Sequence, residues 1–312
     1  MNESQSPSAG SRFRAYLELL RLPNVFTALA DVTMGYLVTH GSLAPAPHFA
    51  MLAGASAALY LSGMALNDAF DARVDAEQRP ERPIPSGRVP LAAARLLGIE
   101  LLLLGAALGW VASYFAGQWK SGIVATGIAA LVLLYNGGLK RTPLGPLAMG
   151  GCRFLNVLFG MSLSATPLDA AHWLIASGIG VYIVGVTWFA RTEARESSRP
   201  QLALATLVLV GGLALLAVYP RFAPWAFDPV RLQPERWYGF WIVMSLLIGW
   251  RCAQAVVQPT PRLVQAAVRQ CLFSIVVLDA AVTFAAAGFG WAVIVLALLA
   301  PMMLVGRWIY ST

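Results

Sequence analysis

Within residues 51–75 the sequence changes abruptly from apolar to acidic: MLAGASAALYLSGMAL is followed at once by NDAFDARVD. The apolar part carries no charged residue and lies in a longer apolar stretch over 49–69. A helix of about 20 apolar residues is long enough to cross the hydrocarbon core of a bilayer. Because the apolar residues are continuous rather than alternating, a helix is favoured over a strand. The stretch therefore predicts a membrane helix that ends in a cluster of acids.

Similar apolar stretches recur along the whole chain of 312 residues, of which 58% are hydrophobic and only 12% are charged. Soluble domains carry about 25% charged residues, so the composition excludes an ordinary soluble protein. The ten stretches are 24–40, 49–69, 91–115, 121–139, 146–165, 172–190, 201–219, 237–257, 267–288 and 290–309. Since only helices and closed barrels span lipid, we expect an all-α, polytopic transmembrane bundle of nine or ten helices. We expect a flexible N-terminal tail over 1–14 and a single transmembrane domain over 15–312.

The net charge of +7 is explained by membrane topology. If the N-terminus lies in the cytoplasm and the spans alternate, 18 of the 22 Lys and Arg residues fall on the cytoplasmic side. This bias agrees with the positive-inside rule. We therefore expect an integral, multi-pass membrane protein with its N-terminus and charged loops in the cytoplasm, in the cell membrane if the source is bacterial. Membrane lipid is an expected partner, and the charge requires no nucleic acid.

The acidic cluster has the spacing of one helix face. Asp68, Asp71 and Asp75 lie at positions i, i+3 and i+7, and Asn67 lies one turn before Asp71. Carboxylates on one face repel each other, so they require a counter-charge. Hard oxygen donors of this kind suit Mg²⁺, which keeps several waters and bridges to phosphate oxygens. We predict that Asn67, Asp68, Asp71 and Asp75 hold a diphosphate through Mg²⁺.

Arginines follow the acids at once, and one of them lies in RPIPSGR at residues 82–88. Two prolines and a glycine predict a stiff, non-helical loop. Such a loop can hold Arg82 over an anion at a low entropic cost. The alternative explanation is a solvated loop whose arginines only obey the positive-inside rule.

The pattern Asn-Asp-x-x-Asp-x-x-x-Asp, followed by Arg-Pro-Ile-Pro-Ser-Gly-Arg, resembles the first signature of the UbiA superfamily of intramembrane prenyltransferases. RLPN at 21–24, YNGGLKR at 135–141 and GCRFLN at 151–156 are similar to further elements of the family, in the same order. The resemblance covers about residues 15–290 and implies a UbiA-like bundle whose central cavity opens to the cytoplasmic side. The family usually has nine spans, so a tenth span is a departure.

The resemblance implies a membrane-embedded, Mg²⁺-dependent transferase that moves a prenyl group from a prenyl diphosphate to an aromatic or other small acceptor. It implies catalytic roles for Asp68, Asp71, Lys140 and Glu193. It implies binding of the substrates by Arg82, Arg141, Arg153, Asn24 and Tyr135. The pair Lys140-Arg141 has a second explanation, because two cations that close a span also serve as a topology signal.

The second acidic signature of the family, Asp-x-x-x-Asp after span six, is altered in this chain, where residues 188–197 read WFARTEARES. Glu193 is our candidate for a second metal ligand, but Arg191 and Arg195 could equally neutralise it. The alternative function is therefore a non-catalytic UbiA-like protein that binds or transports a terpenoid or lipid precursor. In its eroded second motif the chain is similar to the EboC-type branch of the superfamily.

Asp279 lies in the middle of an apolar span. An acid at this depth faces a partner or a cavity by default. Arg251 and Arg269, in neighbouring segments, are candidate counter-ions. A structural ion pair and a role in substrate or proton handling both remain open.

Overall fold

The computed structural model describes residues 9–191, 197–223 and 233–309. All regular elements in these ranges are helical. The α-helices are α1 (Ala9–Leu19), α2 (Val25–His40), α3 (Ala46–Gln78), α4 (Leu91–Phe115), α5 (Lys120–Gly137), α6 (Gly145–Met161), α7 (Ala170–Ala190), α8 (Arg199–Val218), α9 (Pro234–Val257), α10 (Pro261–Ala287), α11 (Phe289–Ala297) and α12 (Leu299–Ile309). Short 3₁₀ turns lie at Leu22–Asn24, Leu139–Arg141 and Tyr219–Phe222.

A helix lies at each of the ten predicted apolar stretches, so the all-α bundle is confirmed. Among the described residues, eight segments are long and apolar enough to cross a membrane, with α11 and α12 together forming one of them. The helices α2 and α6, of 16 and 17 residues, are shorter than that length. The chain is an integral, multi-pass membrane protein.

The longest helix, α3, carries the acidic cluster at its C-terminal end. Its 33 residues extend over about 50 Å, whereas the hydrocarbon core is about 30 Å thick. No Pro or Gly interrupts its last fifteen residues, 64–78, so the helix continues straight from the apolar segment into the acids. The prediction of a membrane helix that ends in acids is confirmed.

The two largest hydrophobic clusters of the described residues share α2 and α6. One cluster joins α2 and α6 to α3, α4 and α5, and the other joins them to α7, α8, α9 and α10. The two shared helices touch through their backbones at Gly35 and Gly160. A side chain at either glycine would strike a carbonyl oxygen of the other helix. This close crossing brings the polar residues of α2 and α6 together.

Helix α1 lies against the loop that follows α3. Glu18 accepts from Arg88 Nη1 at 2.6 Å, and Arg14 Nη2 donates to the carbonyl oxygen of Ile309 at 3.3 Å. The boundary that we predicted after residue 14 therefore falls inside a helix, because residues 9–14 are its first turns. Residues 1–8 of the predicted tail lie outside the described ranges.

Candidate active site

The α3 cluster, which we define as Asn67, Asp68, Asp71 and Asp75, lies where three turns of the chain meet the end of α3. The turn before α2 supplies Arg21, whose Nη2 donates to Asp68 Oδ1 at 3.1 Å. Arg21 has a left-handed backbone with a φ of 45°, which costs energy in a residue with a Cβ atom. The strained turn directs a guanidinium onto the acids.

The loop between α3 and α4 supplies Arg82. Its Nη1 donates to Asp75 Oδ2 at 2.7 Å and lies 3.5 Å from Asp68 Oδ1. The amide of Ser86 donates to the carbonyl oxygen of Arg82, and Gly87 takes a φ of 73°. The loop is non-helical, as predicted, and it holds one guanidinium between two carboxylates.

The 3₁₀ turn after α5 supplies Lys140 and Arg141. The Nζ atom of Lys140 lies 2.6 Å from Asp71 Oδ2 and 3.0 Å from Asn67 Oδ1. Arg141 Nη2 lies 3.6 Å from Asp71 Oδ1. Arg191 Nη2 donates to two carbonyl oxygens of this turn at 3.2 and 2.9 Å, which fixes the turn against the end of α7.

Three carboxylates of the α3 cluster thus face four cationic side chains, those of Arg21, Arg82, Lys140 and Arg141. Within the described residues, no group of three or more His, Cys, Asp or Glu is arranged to hold a metal ion. The oxygen donors converge in pairs on cations instead, with Lys140 between Asn67 and Asp71. The oxygen atoms of Asn67 and Asp71 already meet at the Lys140 ammonium group, and hard oxygen ligands of this kind are the ones that Mg²⁺ prefers. The residues therefore fit Mg²⁺ if the Lys140 ammonium group turns towards a phosphate.

A cavity of about 140 Å³, the central cavity, continues from the α3 cluster between α2, α3, α5 and α6. Arg21, Asn67 and Tyr135 line it at the cluster, and apolar side chains such as Leu59 and Val132 line its middle. Its far end is polar, with Ser56, Arg153 and Asn156. The cavity thus has a cationic mouth, an apolar middle and a polar floor.

Below the floor lies the buried triad, which we define as Asp31 of α2, Arg153 of α6 and Asp279 of α10. Arg153 Nε lies 3.0 Å from Asp31 Oδ2. Asn156 Nδ2 also donates to Asp31 Oδ2 at 3.3 Å. Arg153 lines the central cavity, and its three guanidinium nitrogens are buried; apart from the ion pair of Nε with Asp31, none of them meets hydrogen-bond geometry to a described residue.

Our expectation for the counter-ion of Asp279 is wrong. The carboxyl group of Asp279 lies beside that of Asp31 and interacts with Arg153. Arg251 and Arg269 line a different cavity. The expectation failed because neighbouring segments in sequence are not always neighbours across a bundle. Both acids are 0% exposed, and two carboxyl groups hydrogen-bond only if one carries a proton. We therefore expect the two acids to share one proton, which would make the triad neutral.

The structure brings most of the predicted site residues together. Asn67, Asp68, Asp71 and Asp75 contact Arg82, Lys140 and Arg141, while Tyr135 and Arg153 line the central cavity. Asn24 lies elsewhere, in a separate cavity between α10 and α12. Glu193 lies outside the described residues.

Sequence reasoning missed two residues of these sites. We quoted Arg21 only within a motif and gave it no role, although an arginine directly before the first span and its acids is a signal for a counter-ion. Asp31 was missed although it lies inside an apolar span, as Asp279 does. The rule that intramembrane acids have partners applies to both.

Residues 28–205 match the model of the UbiA prenyltransferase family. A digeranylgeranylglyceryl phosphate synthase from Ignicoccus hospitalis is 37% identical over 192 residues, which cover 60% of this chain and 58% of the relative. The enzyme of the same name from Methanopyrus kandleri is 36% identical over 167 residues, 52% of this chain and 57% of the relative. The chain thus spans less than three fifths of the length of these relatives.

Two solved structures share the fold over most of their length. A structure described in work on the biosynthesis of digeranylgeranylglyceryl phosphate synthase in membranes has a TM-score of 0.63 at 20% identity, over 89% of this chain and 99% of that chain. A UbiA homologue from Archaeoglobus fulgidus, bound to GPP and Mg²⁺, has a TM-score of 0.63 at 15% identity, over 91% and 99% of the two chains. The match of the family model over more than half of the sequence establishes that this chain belongs to the UbiA prenyltransferase family.

Proposed function

We propose that the protein transfers a prenyl group from a prenyl diphosphate to a small acceptor inside the membrane, in a Mg²⁺-dependent reaction. The observation that carries the proposal is the α3 cluster with its four cations at the mouth of a cavity with an apolar middle. A prenyl diphosphate has the same two parts, an anionic head and an apolar tail. The solved relative from Archaeoglobus fulgidus holds GPP and Mg²⁺, which supports the assignment.

Asn67, Asp68, Asp71 and Asp75 would hold the metal through hard oxygen atoms. Bound Mg²⁺ neutralises negative charge on phosphate oxygens, including the charge that grows on the leaving group. We propose Glu193 as a further ligand, on the strength of its place after span six.

The cationic side chains stabilise the diphosphate as it leaves. When the bond between the first prenyl carbon and the diphosphate oxygen breaks, both electrons stay on the oxygen. Arg82, Lys140, Arg141 and Arg21 lie around the acids that hold the head group, so their donors are in place for this growing charge. Tyr135 lines the cavity beside them, and an aromatic face stabilises the allylic cation that remains.

The acceptor approaches the cation within the central cavity. Ser56, Arg153 and Asn156 line the polar floor, where an oxygen-rich group of the acceptor would bind. The names of the relatives favour a glyceryl phosphate acceptor over the aromatic acceptor that we expected from sequence. We propose that the N-terminus, the α3 cluster and the mouth of the cavity lie on the cytoplasmic side, as the charge bias predicts.

Release of pyrophosphate tests the proposal directly. The full-length protein in lipid vesicles is mixed with Mg²⁺, a panel of prenyl diphosphates and a glyceryl phosphate or a phenol acceptor. We expect Mg²⁺-dependent release that Asp71→Asn abolishes. Glu77→Gln is the matched control, because Glu77 is an exposed acid of the same helix and lies about 180° around it from Asp68.

The altered second motif supports a second candidate, a protein that binds a terpenoid precursor without transferring it. This candidate predicts diphosphate binding that Asp71→Asn weakens, together with no release of pyrophosphate from any donor. Steady turnover would exclude the second candidate, and binding without turnover would exclude the first.

A further inference from the structure

Arg88 closes the loop that carries Arg82, and it does so with all three nitrogens of its guanidinium group. Nη2 donates to the carbonyl oxygen of Glu81 at 2.8 Å, and Nε donates to Ser86 Oγ at 3.1 Å. Nη1 donates to Oε2 of Glu18, on α1, at 2.6 Å. The guanidinium group is planar and presents its donors in a rigid fork, so Arg88 joins two points of the loop to a third point on α1.

The two contacts within the loop act on the two peptide groups that flank Arg82. The carbonyl group of Glu81 belongs to the peptide before Arg82, and Arg88 holds its oxygen. The carbonyl oxygen of Arg82 belongs to the peptide after it, and Ser86 Oγ donates to this oxygen at 2.7 Å. A peptide group is planar, so the backbone of a residue turns only through φ and ψ. Because the peptides on both sides are held, the direction in which the Arg82 side chain leaves the backbone is fixed.

Helix α1 anchors this arrangement from outside the loop. Leu19 of α1 and Val89, the residue after Arg88, are both 0% exposed and belong to one hydrophobic cluster. The Glu18 side chain, next to Leu19, is only 17% exposed. Ion pairs withdrawn from water are screened less than exposed ones, so the contact between Glu18 and Arg88 ties the loop to a packed helix.

The positive-inside rule does not account for these contacts. A cytoplasmic arginine that only sets topology contributes its charge and needs no particular partner. Arg73 is of this kind, because it is exposed and forms no ion pair within the described residues. Arg88 has three polar partners, and two of them are neutral oxygen atoms. Its role therefore depends on geometry as well as on charge.

We propose that Arg88 and Glu18 are positioning residues that orient Arg82 towards the α3 cluster and the diphosphate bound there. Arg82 Nη1 lies 2.7 Å from Asp75 Oδ2 and 3.5 Å from Asp68 Oδ1, and hydrogen bonds weaken steeply when their geometry is disturbed. Arg88 itself pairs with Glu18 and with no acid of the α3 cluster in the described part of the chain. The assignment rests on the proposed function, because it concerns a cation that stabilises the departing diphosphate.

A double-mutant cycle between Arg88 and Arg82 tests the proposal. Release of pyrophosphate is measured with the full-length protein in lipid vesicles, with Mg²⁺, a prenyl diphosphate and an acceptor. We expect Arg88→Gln to lower turnover about fivefold, which is less than the loss of Arg82 itself causes. In an Arg82→Gln background the same change should have no further effect, because the side chain that it positions is gone. Losses that multiply in the double variant overturn the proposal.

Three further variants separate geometry from charge. Glu18→Gln should lower turnover only about twofold, because the amide oxygen still accepts from Arg88. Arg88→Lys should recover less than half of the loss, since one ammonium group replaces the fork. Arg73→Gln, the matched control, removes one exposed cationic side chain and should leave turnover unchanged. Full activity of Arg88→Lys, or an equal loss in Arg73→Gln, overturns the proposal because charge alone would then matter.

Amide hydrogen exchange in the absence of any ligand separates this proposal from the proposed function. The amides of Arg82, Ser86 and Val89 donate to carbonyl oxygens between residues 79 and 83, so their exchange reports how firmly the loop is held. We expect Arg88→Gln to accelerate their exchange and Arg73→Gln to leave it unchanged. Equal exchange in the wild-type protein and Arg88→Gln overturns the positioning role even if a donor is turned over.

Binding of inorganic pyrophosphate with Mg²⁺ gives the same cycle a readout without turnover. If no donor is turned over but Arg88→Gln weakens this binding only while Arg82 is present, the positioning role is supported and only the proposed transfer fails. If the wild-type protein neither turns over a donor nor binds pyrophosphate, both proposals are overturned.

Discussion

The α3 cluster and the buried triad are built from the same chemistry, carboxylates opposed by arginine, but they differ in where the cations come from. In the α3 cluster the oxygen donors all come from one helix and the four cations come from turns and a loop. In the buried triad all three residues come from the middle of helices. The Asp71 side chain is 23% exposed, whereas those of Asp31 and Asp279 are sealed.

The difference shows that carboxylates can exchange their cationic partners only where those cationic side chains can move without disrupting the packing of the helices. Buried ions repay their desolvation only while each has a partner, so the triad must stay closed. The α3 cluster has more cations than acids and has access to solvent, so an incoming anion can take a cation from an acid. The comparison predicts that the triad controls stability and the α3 cluster controls activity.

The largest effect is expected when both acids of the triad are removed. Asp31→Asn/Asp279→Asn leaves Arg153 buried without a carboxylate, which costs about 3–5 kcal/mol in the free energy of unfolding. Denaturant titration of the protein in detergent measures it. Each single variant should cost far less than half of this, because the remaining acid keeps its charge beside Arg153. Additive single effects would show that the two acids act independently.

The next effect tests the other half of the comparison. Asp68→Asn should reduce turnover about 100-fold, or about 2.7 kcal/mol in the activation free energy, because it removes a charged ligand for the head group. The free energy of unfolding should change by less than about 1 kcal/mol, since Arg21 and Arg82 stay partly exposed and regain water. A loss of stability as large as that of the triad variant would break the comparison.

A smaller effect is expected at Arg82. Arg82→Gln should reduce turnover about tenfold, and Arg82→Lys should recover only part of it, because one ammonium group replaces the planar fork. The turnover number for pyrophosphate release measures both variants. Full recovery by lysine would mean that only charge matters at this position.

The smallest effect is expected for Asp279→Asn alone. An amide has the shape of a protonated carboxyl group and donates to Asp31 in its place, so the loss should be below about 1 kcal/mol. A comparison of the thermal unfolding of Asp279→Asn with that of Asp31→Asn tests which of the two acids carries the shared proton. A cost of several kcal/mol for Asp279→Asn would place a full negative charge on Asp279 instead.

The sequence predicted what depends on local order along one helix. The apolar stretches gave the helices, and the spacing of Asp68, Asp71 and Asp75 placed these acids near one another on α3. The partners of intramembrane acids could not be predicted in this way. Asp31 of α2 meets Arg153 of α6 because Gly35 and Gly160 let these two helices approach, and Asp279 joins them from α10. Packing of this kind has no counterpart in the order of segments. Asn24 is a similar case, because it lines the cavity between α10 and α12 rather than the central cavity.

The continuous helix α3 also determines how fast the mouth of the central cavity can exchange a bound diphosphate. The oxygen ligands of the α3 cluster belong to one helix about 50 Å long that is packed in the bundle. The four cations lie at the ends of side chains that come from three separate turns and loops. Entry of a diphosphate therefore requires several side-chain rotations and no bending of a helix. Rotations of exposed side chains take picoseconds to nanoseconds, whereas domain motions take microseconds to milliseconds. We expect the exchange of the head group to be limited by diffusion and desolvation rather than by the backbone.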